Sequence, residues 1–105
     1  MSDMYQKVAQ TGDLGPGEMM RVDAHGERVL LVNVDGEFFA ICDTCSHEDA
    51  SLYQGALHGE LIRCPLHGSR FNVKTGEALE EPAEEPVAVY PVKVDGVDIL
   101  LGPAK

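Results

Sequence analysis

The chain contains no tryptophan, and only 6% of its residues are aromatic. Basic residues are scarce, 8 against 18 acidic ones, for a formal net charge of -10. That balance argues against nucleic-acid binding, because neutralising phosphates depends on Lys and Arg. An acidic surface instead favours solubility and steering toward basic partner surfaces. No apolar run approaches the roughly 20 residues that cross a bilayer, so no membrane partner is expected. The start, Met1-Ser2-Asp3-Met4-Tyr5-Gln6-Lys7, has no apolar core of the kind a secretory signal needs. The expected location is therefore the reducing cytoplasm. Cysteine is limited to three residues, which in that compartment point to metal or redox chemistry before disulfides. Helical periodicity is also hard to find, apart from a short turn expected near Ala50–Leu52.

What is present is the signature of short strands and tight turns, with 11 glycines in 105 residues. Arg28-Val29-Leu30-Leu31-Val32-Asn33-Val34 is followed by Asp35-Gly36 and then by Glu37-Phe38-Phe39-Ala40-Ile41. The pattern recurs as a strand over 87–94, Asp95-Gly96, and Val97-Asp98-Ile99-Leu100-Leu101. An Asp-Gly pair between two apolar runs is a strong hairpin signal. Further strands are expected near Tyr5–Ala9 and Met19–Val22, separated by Leu14-Gly15-Pro16-Gly17. The segment 80–86, acidic and rich in Pro, reads as an exposed crossing loop. These features predict an all-β, antiparallel fold in a single domain spanning 1–105. A domain this small buries only about 60–70% of its unfolded surface, so a metal centre would help to stabilise it.

Cys, His and Gly concentrate between Cys42 and about Gly76. Two short segments stand out: Cys45-Ser46-His47 and Cys64-Pro65-Leu66-His67, with sixteen residues between them. Two thiolates and two imidazoles make a four-ligand set for a soft or borderline metal centre. A single zinc ion is one reading. Structural zinc sites, however, commonly pair two Cys in one segment and two His in another. Here each segment carries one of each, which suits a two-iron centre, with a pair of His replacing a pair of Cys on one iron.

Cys-x-His followed by Cys-Pro-x-His-Gly resembles the Rieske iron–sulfur signature. The resemblance extends over nearly the whole chain, including Val34-Asp35-Gly36-Glu37-Phe38-Phe39-Ala40 before the first segment and Phe71-x-Val73-x-Thr75-Gly76 after the second. The chain is most similar to the stand-alone Rieske ferredoxins of bacterial aromatic-ring-hydroxylating dioxygenase systems. The resemblance implies one [2Fe–2S] cluster per chain, with Cys45 and Cys64 on one iron and His47 and His67 on the other. It implies a cluster-binding subdomain over about 42–76 on a β base drawn from 1–41 and 77–105. It also implies a monomeric electron carrier, not an enzyme, placed between a flavin-dependent ferredoxin reductase and a terminal oxygenase. The small subunit of a nitrite reductase has the same fold and stays open as an alternative, as does a zinc-stabilised binding module.

Other residues are expected to be structural. Cys42-Asp43-Thr44-Cys45 has dithiol spacing, but its flanks read as antiparallel strand and a redox pair would leave His47, Cys64 and His67 unexplained. Cys42 is therefore expected at a strand end. His25 and His58 each precede Gly and read as surface turns. Glu48 and Asp49 place negative charge next to His47, either as a docking feature or as a solvated loop. High-potential relatives carry an additional Cys in each loop, where this chain has Ala50 and Leu66, and hydrogen-bond donors at the positions of Ser69 and Phe71. Only Ser69 keeps a hydroxyl. Fewer donors to sulfur mean less stabilisation of the reduced state. A redox titration is expected to place the midpoint near the lower end of the roughly -150 to +300 mV Rieske range; a value near the top would contradict this reading of Phe71.

Overall fold

The computed structural model describes residues 5–44, 51–65, 68–79 and 86–104. These form strands β1 (Gln6–Gln10), β2 (Met19–Ala24), β3 (Glu27–Val34), β4 (Glu37–Cys42), β5 (Ala56–His58), β6 (Leu61–Arg63), β7 (Arg70–Asn72), β8 (Val89–Tyr90), β9 (Val92–Asp95) and β10 (Asp98–Leu101). They make three antiparallel sheets, ordered β1-β10-β9, β2-β3-β4-β8 and β5-β6-β7. The all-β expectation holds. Among the described residues no helix is long and apolar enough to cross a membrane.

The four-stranded sheet is the middle layer, and β3 shows why. Val29 to Asn33 are all buried, so this strand is covered on both faces. Side chains alternate along a strand, and the alternation splits these residues between two cores. Leu30 and Val32, with Ile41 of β4, join Leu52, Ile62, Cys64, Phe71, Val73 and Val87. Val29 and Leu31, with Ala40, join Ala9, Tyr90, Ile99 and Leu101. Each fully buried Val, Leu or Ile contributes about 1.5–3 kcal/mol. One strand thus supplies the cores on both sides of its sheet.

Both Asp-Gly turns close hairpins, β3–β4 and β9–β10. Asp35 and Gly36 have φ values of 53 and 95, the left-handed pair that matches strand twist in a two-residue loop. The expected strand over 87–94 is instead broken at Pro91. Pro has no N–H to give to a ladder, and the chain changes sheets there: β8 pairs with β4 and β9 pairs with β10. The helical turn expected near Ala50–Leu52 lies two residues later, as a 3-10 turn over Leu52–Gln54. His25 does sit in a turn, but it is half-buried, and its Nε2 donates to the Leu101 carbonyl at 2.8 Å. It therefore links the middle sheet to β10. The acidic stretch over 80–85 lies outside the described residues.

Gly76 locks the return from β7 to the middle sheet. Its N–H donates to the Asn72 carbonyl at 2.6 Å and its carbonyl accepts from the Val87 N–H at 2.9 Å. Its φ is +78, and a Cβ there would lie 2.3 Å from the Val87 carbonyl oxygen. Gly96 has a similar φ of +65 with open space around it. Gly76→Ala is therefore expected to cost at least about 2 kcal/mol, from backbone strain plus the clash, and Gly96→Ala only about 1 kcal/mol. Denaturant unfolding of the two variants checks this; equal losses would mean that the close approach at Gly76 carries no energy.

Candidate metal centre

Of the four predicted ligands, the described residues include Cys64. Cys45, His47 and His67 lie outside them, as do Glu48, Asp49, Ala50 and Leu66. What the structure supplies is the framework that holds both ligand segments.

The segment 45–50 leaves from β4 and returns at Ser51, where Thr44 and Ser51 form an isolated antiparallel bridge. Asp43 ties this base together. Its side chain is fully buried. Its Oδ2 accepts from the Ser51 hydroxyl at 2.6 Å and its Oδ1 accepts from the Tyr53 N–H at 2.9 Å. Its own carbonyl accepts from the Leu52 N–H at 2.6 Å, and its N–H donates to the Arg28 carbonyl at 3.0 Å. A buried carboxylate is costly unless it is paired and hydrogen-bonded. Here Arg21 provides the charge, its Nη1 lying 3.9 Å from Oδ2 and donating to the Ser51 hydroxyl oxygen at 3.3 Å. The Arg21 guanidinium also lies 5.8 Å from the centroid of the Tyr53 ring.

The second segment is the tip of the β6–β7 hairpin. The Cys64 N–H donates to the Ser69 carbonyl at 2.7 Å and the Gly68 N–H to the Cys64 carbonyl at 3.1 Å. Cys64 and Ser69 are both buried, and the Cys64 side chain belongs to the same core as Leu52, Ile62 and Phe71. Phe71 is fully buried opposite Ile62.

The two bases meet. Gln54, Gly55 and Ala56, just after the first segment, line an open groove together with Arg63, Cys64, Pro65 and Gly68. Gly55 approaches so closely that a Cβ there would lie 1.8 Å from the Arg63 carbonyl oxygen. This is the fit expected of a thiolate-held centre: a buried cysteine without a disulfide, on a hydrogen-bonded turn, beside the exit of the other Cys-His segment. Cys42 ends β4, half-buried between the two cores, as expected for a strand-end residue. His58 ends β5 and is exposed.

Asp43, Ser51 and Arg21 were not singled out by sequence reasoning. Asp43 lay inside the Cys42–Cys45 spacing, and nothing local marked an acid there as a clasp. Asp43→Ala would leave the Tyr53 N–H and the Ser51 hydroxyl without their acceptor, at about 1–3 kcal/mol each. The variant is expected to lose about 2 kcal/mol or more in denaturant unfolding and to hold less iron per chain. Arg21→Ala, which strips the charge partner but leaves the Ser51 and Tyr53 donors on the buried carboxylate, is expected to cost less than Asp43→Ala. Unchanged stability and full iron content in Asp43→Ala would remove the clasp from the account.

Comparison with known proteins bears directly on this centre. A family model described as the Rieske [2Fe-2S] domain matches residues 4–91. The ferredoxin component of biphenyl 2,3-dioxygenase from Rhodococcus jostii is 45% identical over 95 residues, covering 90% of this chain and 89% of that one. The ferredoxin of carbazole 1,9a-dioxygenase from Nocardioides aromaticivorans superposes with a TM-score of 0.92 at 39% identity, over 96% of this chain and 99% of that one. A ferredoxin solved in complex with the reduced oxygenase of carbazole 1,9a-dioxygenase gives a TM-score of 0.92 at 36% identity, over 99% of this chain and 98% of that one.

Proposed function

Because the chain belongs to the Rieske [2Fe–2S] domain family, we propose that it is the ferredoxin of an aromatic-ring-hydroxylating dioxygenase system, taking electrons from a flavin-dependent reductase and delivering them to a terminal oxygenase. The observation that carries this reading is the meeting of the two segment bases at one groove, in a chain that matches dioxygenase ferredoxins over almost their whole length. The relatives are named as ferredoxin components of dioxygenase systems, so in this reading the protein is a carrier and not itself an enzyme.

In this proposal Cys45 and Cys64 hold one iron and His47 and His67 the other, within a cluster-binding part over about 42–76 seated on a base from 1–41 and 77–105. The bound cluster supplies a one-electron couple, and two neutral imidazoles in place of two thiolates make it about two charge units less negative than an all-cysteine cluster. The protein's part is to hold that couple rigidly. Asp43 fixes the ends of the first segment, the Cys64–Ser69 turn fixes the second, and the Leu52–Ile62–Phe71 core anchors both. A stiff framework keeps ligand geometry the same in both redox states, which lowers the cost of electron transfer. The carrier works as a cytoplasmic monomer that meets its two partners in turn. In the solved carbazole system the oxygenase is such a partner of the related ferredoxin.

Reconstitution tests the proposal. The holoprotein is mixed with NADH and with the reductase and terminal oxygenase of the Rhodococcus jostii biphenyl system, from which that system's own ferredoxin is omitted. Substrate oxidation is expected to return and to scale with added holoprotein. A holoprotein that takes up one electron per chain yet supports neither this oxygenase nor that of the carbazole system would contradict the assignment.

A further inference from the structure

Arg63 immediately precedes Cys64, and the fold lays its charge against the second ligand segment. Ile62 points inward and is fully buried, so by strand alternation Arg63 points out. Its main chain is closely held. The Arg63 carbonyl oxygen would lie 1.8 Å from a Cβ on Gly55, and the next N–H, that of Cys64, donates to the Ser69 carbonyl at 2.7 Å. Across the β5–β6 ladder Arg63 faces Ala56, a small residue that leaves its side chain room.

From this fixed base the side chain reaches along the hairpin to Gly68. Its Nη2 and Nε lie 3.1 and 3.2 Å from where a Cβ on Gly68 would lie, and Gly68 has a φ of +76. The missing side chain at Gly68 therefore permits the turn and also leaves the space into which the guanidinium packs. The Gly68 N–H in turn donates to the Cys64 carbonyl at 3.1 Å. Arg63 and Gly68 together border two grooves, one between the bases of the two ligand segments and one bounded by His58, Leu61 and Arg70. The guanidinium thus rests on the backbone turn that carries Cys64, and it stays charged throughout the working pH range.

A permanent positive charge in this place acts on the electron. Reduction adds one negative charge to a chain whose formal net charge is already -10. The potential of an iron–sulfur cluster depends on the charge and solvent around it, and a neighbouring cation favours the reduced form by Coulomb attraction. We propose that Arg63 raises the reduction potential of the bound cluster through its charge. It thereby sets part of the driving force with which the carrier accepts an electron from its reductase and yields it to its oxygenase. The inference deepens the electron-carrier reading above and rests on it. Arg63 is not a ligand in this account; it works on the cluster from the turn beside it.

Redox titration of the holoprotein at one fixed pH tests this in R63K, R63Q and R63E. At the wild-type midpoint, the ratio of reduced to oxidised protein is expected to fall about threefold in R63Q and about tenfold in R63E, shifts of about 28 and 59 mV at 59 mV per tenfold for one electron. R63K should keep the wild-type midpoint. The shifts should shrink as salt is added, because Arg63 is exposed. K93Q, which removes a cation from β9 on the other side of the middle sheet, should leave the midpoint nearly unchanged. Unaltered EPR g-values show that the variants keep the ligand set. Midpoints equal to wild type in R63Q and R63E overturn the proposal. A fall in R63K as large as in R63Q also overturns it, since packing at Gly68 and not charge would then be the cause. If wild-type holoprotein shows no reversible one-electron couple, the carrier reading fails and this proposal with it; a normal wild-type couple that the variants leave unmoved removes this proposal alone.

Discussion

The arrangement depends on one strand being buried on both sides. In β3, Leu30 and Val32 face the core that carries Cys64, while Val29 and Leu31 face the core shared with β1 and β10. Because the alternation has a period of two, a one-residue slip of β3 would exchange the two sets and disrupt both cores at once. Register in the middle sheet is therefore tightly specified. That register places the end of β4, and with it Asp43, where the first Cys-His segment begins.

From that fixed point the metal centre follows by short connections. Asp43 bonds forward to Ser51, Leu52 and Tyr53, which ties together the residues on either side of the segment that carries Cys45 and His47. Leu52 then drops into the same core as Ile62 and Cys64. The second segment is a hairpin tip two bonds deep, hung on β6 and β7. Among the described residues, the bases of both ligand segments join one core through Leu52 and Cys64. Each borrows rigidity from the middle sheet, and a buried charge network is tolerated at the join because every partner in it is satisfied.

Much of this was legible in the sequence where chemistry is local. The Asp35-Gly36 turn needs positive φ at both residues and the second turn at Gly96, and few residues supply it, so both hairpins could be placed. The mixed Cys-His segments state their chemistry in the spacing of four residues, and the family match agrees with the cluster they imply. Other features depended on tertiary context. Pro91 was visible, but only the sheet partners reveal that the chain changes sheets there. The strands β5, β6 and β7 are each three residues long, too short for periodicity to register, and they read as loops. Asp43 gave no signal because its partners Arg21 and Ser51 are distant in sequence and meet only when β2 packs beside the loop base.

The central claim is that Cys45, His47, Cys64 and His67 together hold one two-iron centre of mixed ligation. The most direct measurement is EPR of the dithionite-reduced holoprotein, with iron and sulfide counted on the same sample. The account predicts two irons and two sulfides per chain and the low average g-value of a His-ligated cluster. A spectrum of the all-cysteine type would bring Cys42 into the ligand set and contradict the assignment. A colourless protein holding a single zinc ion would contradict the electron-carrier account altogether.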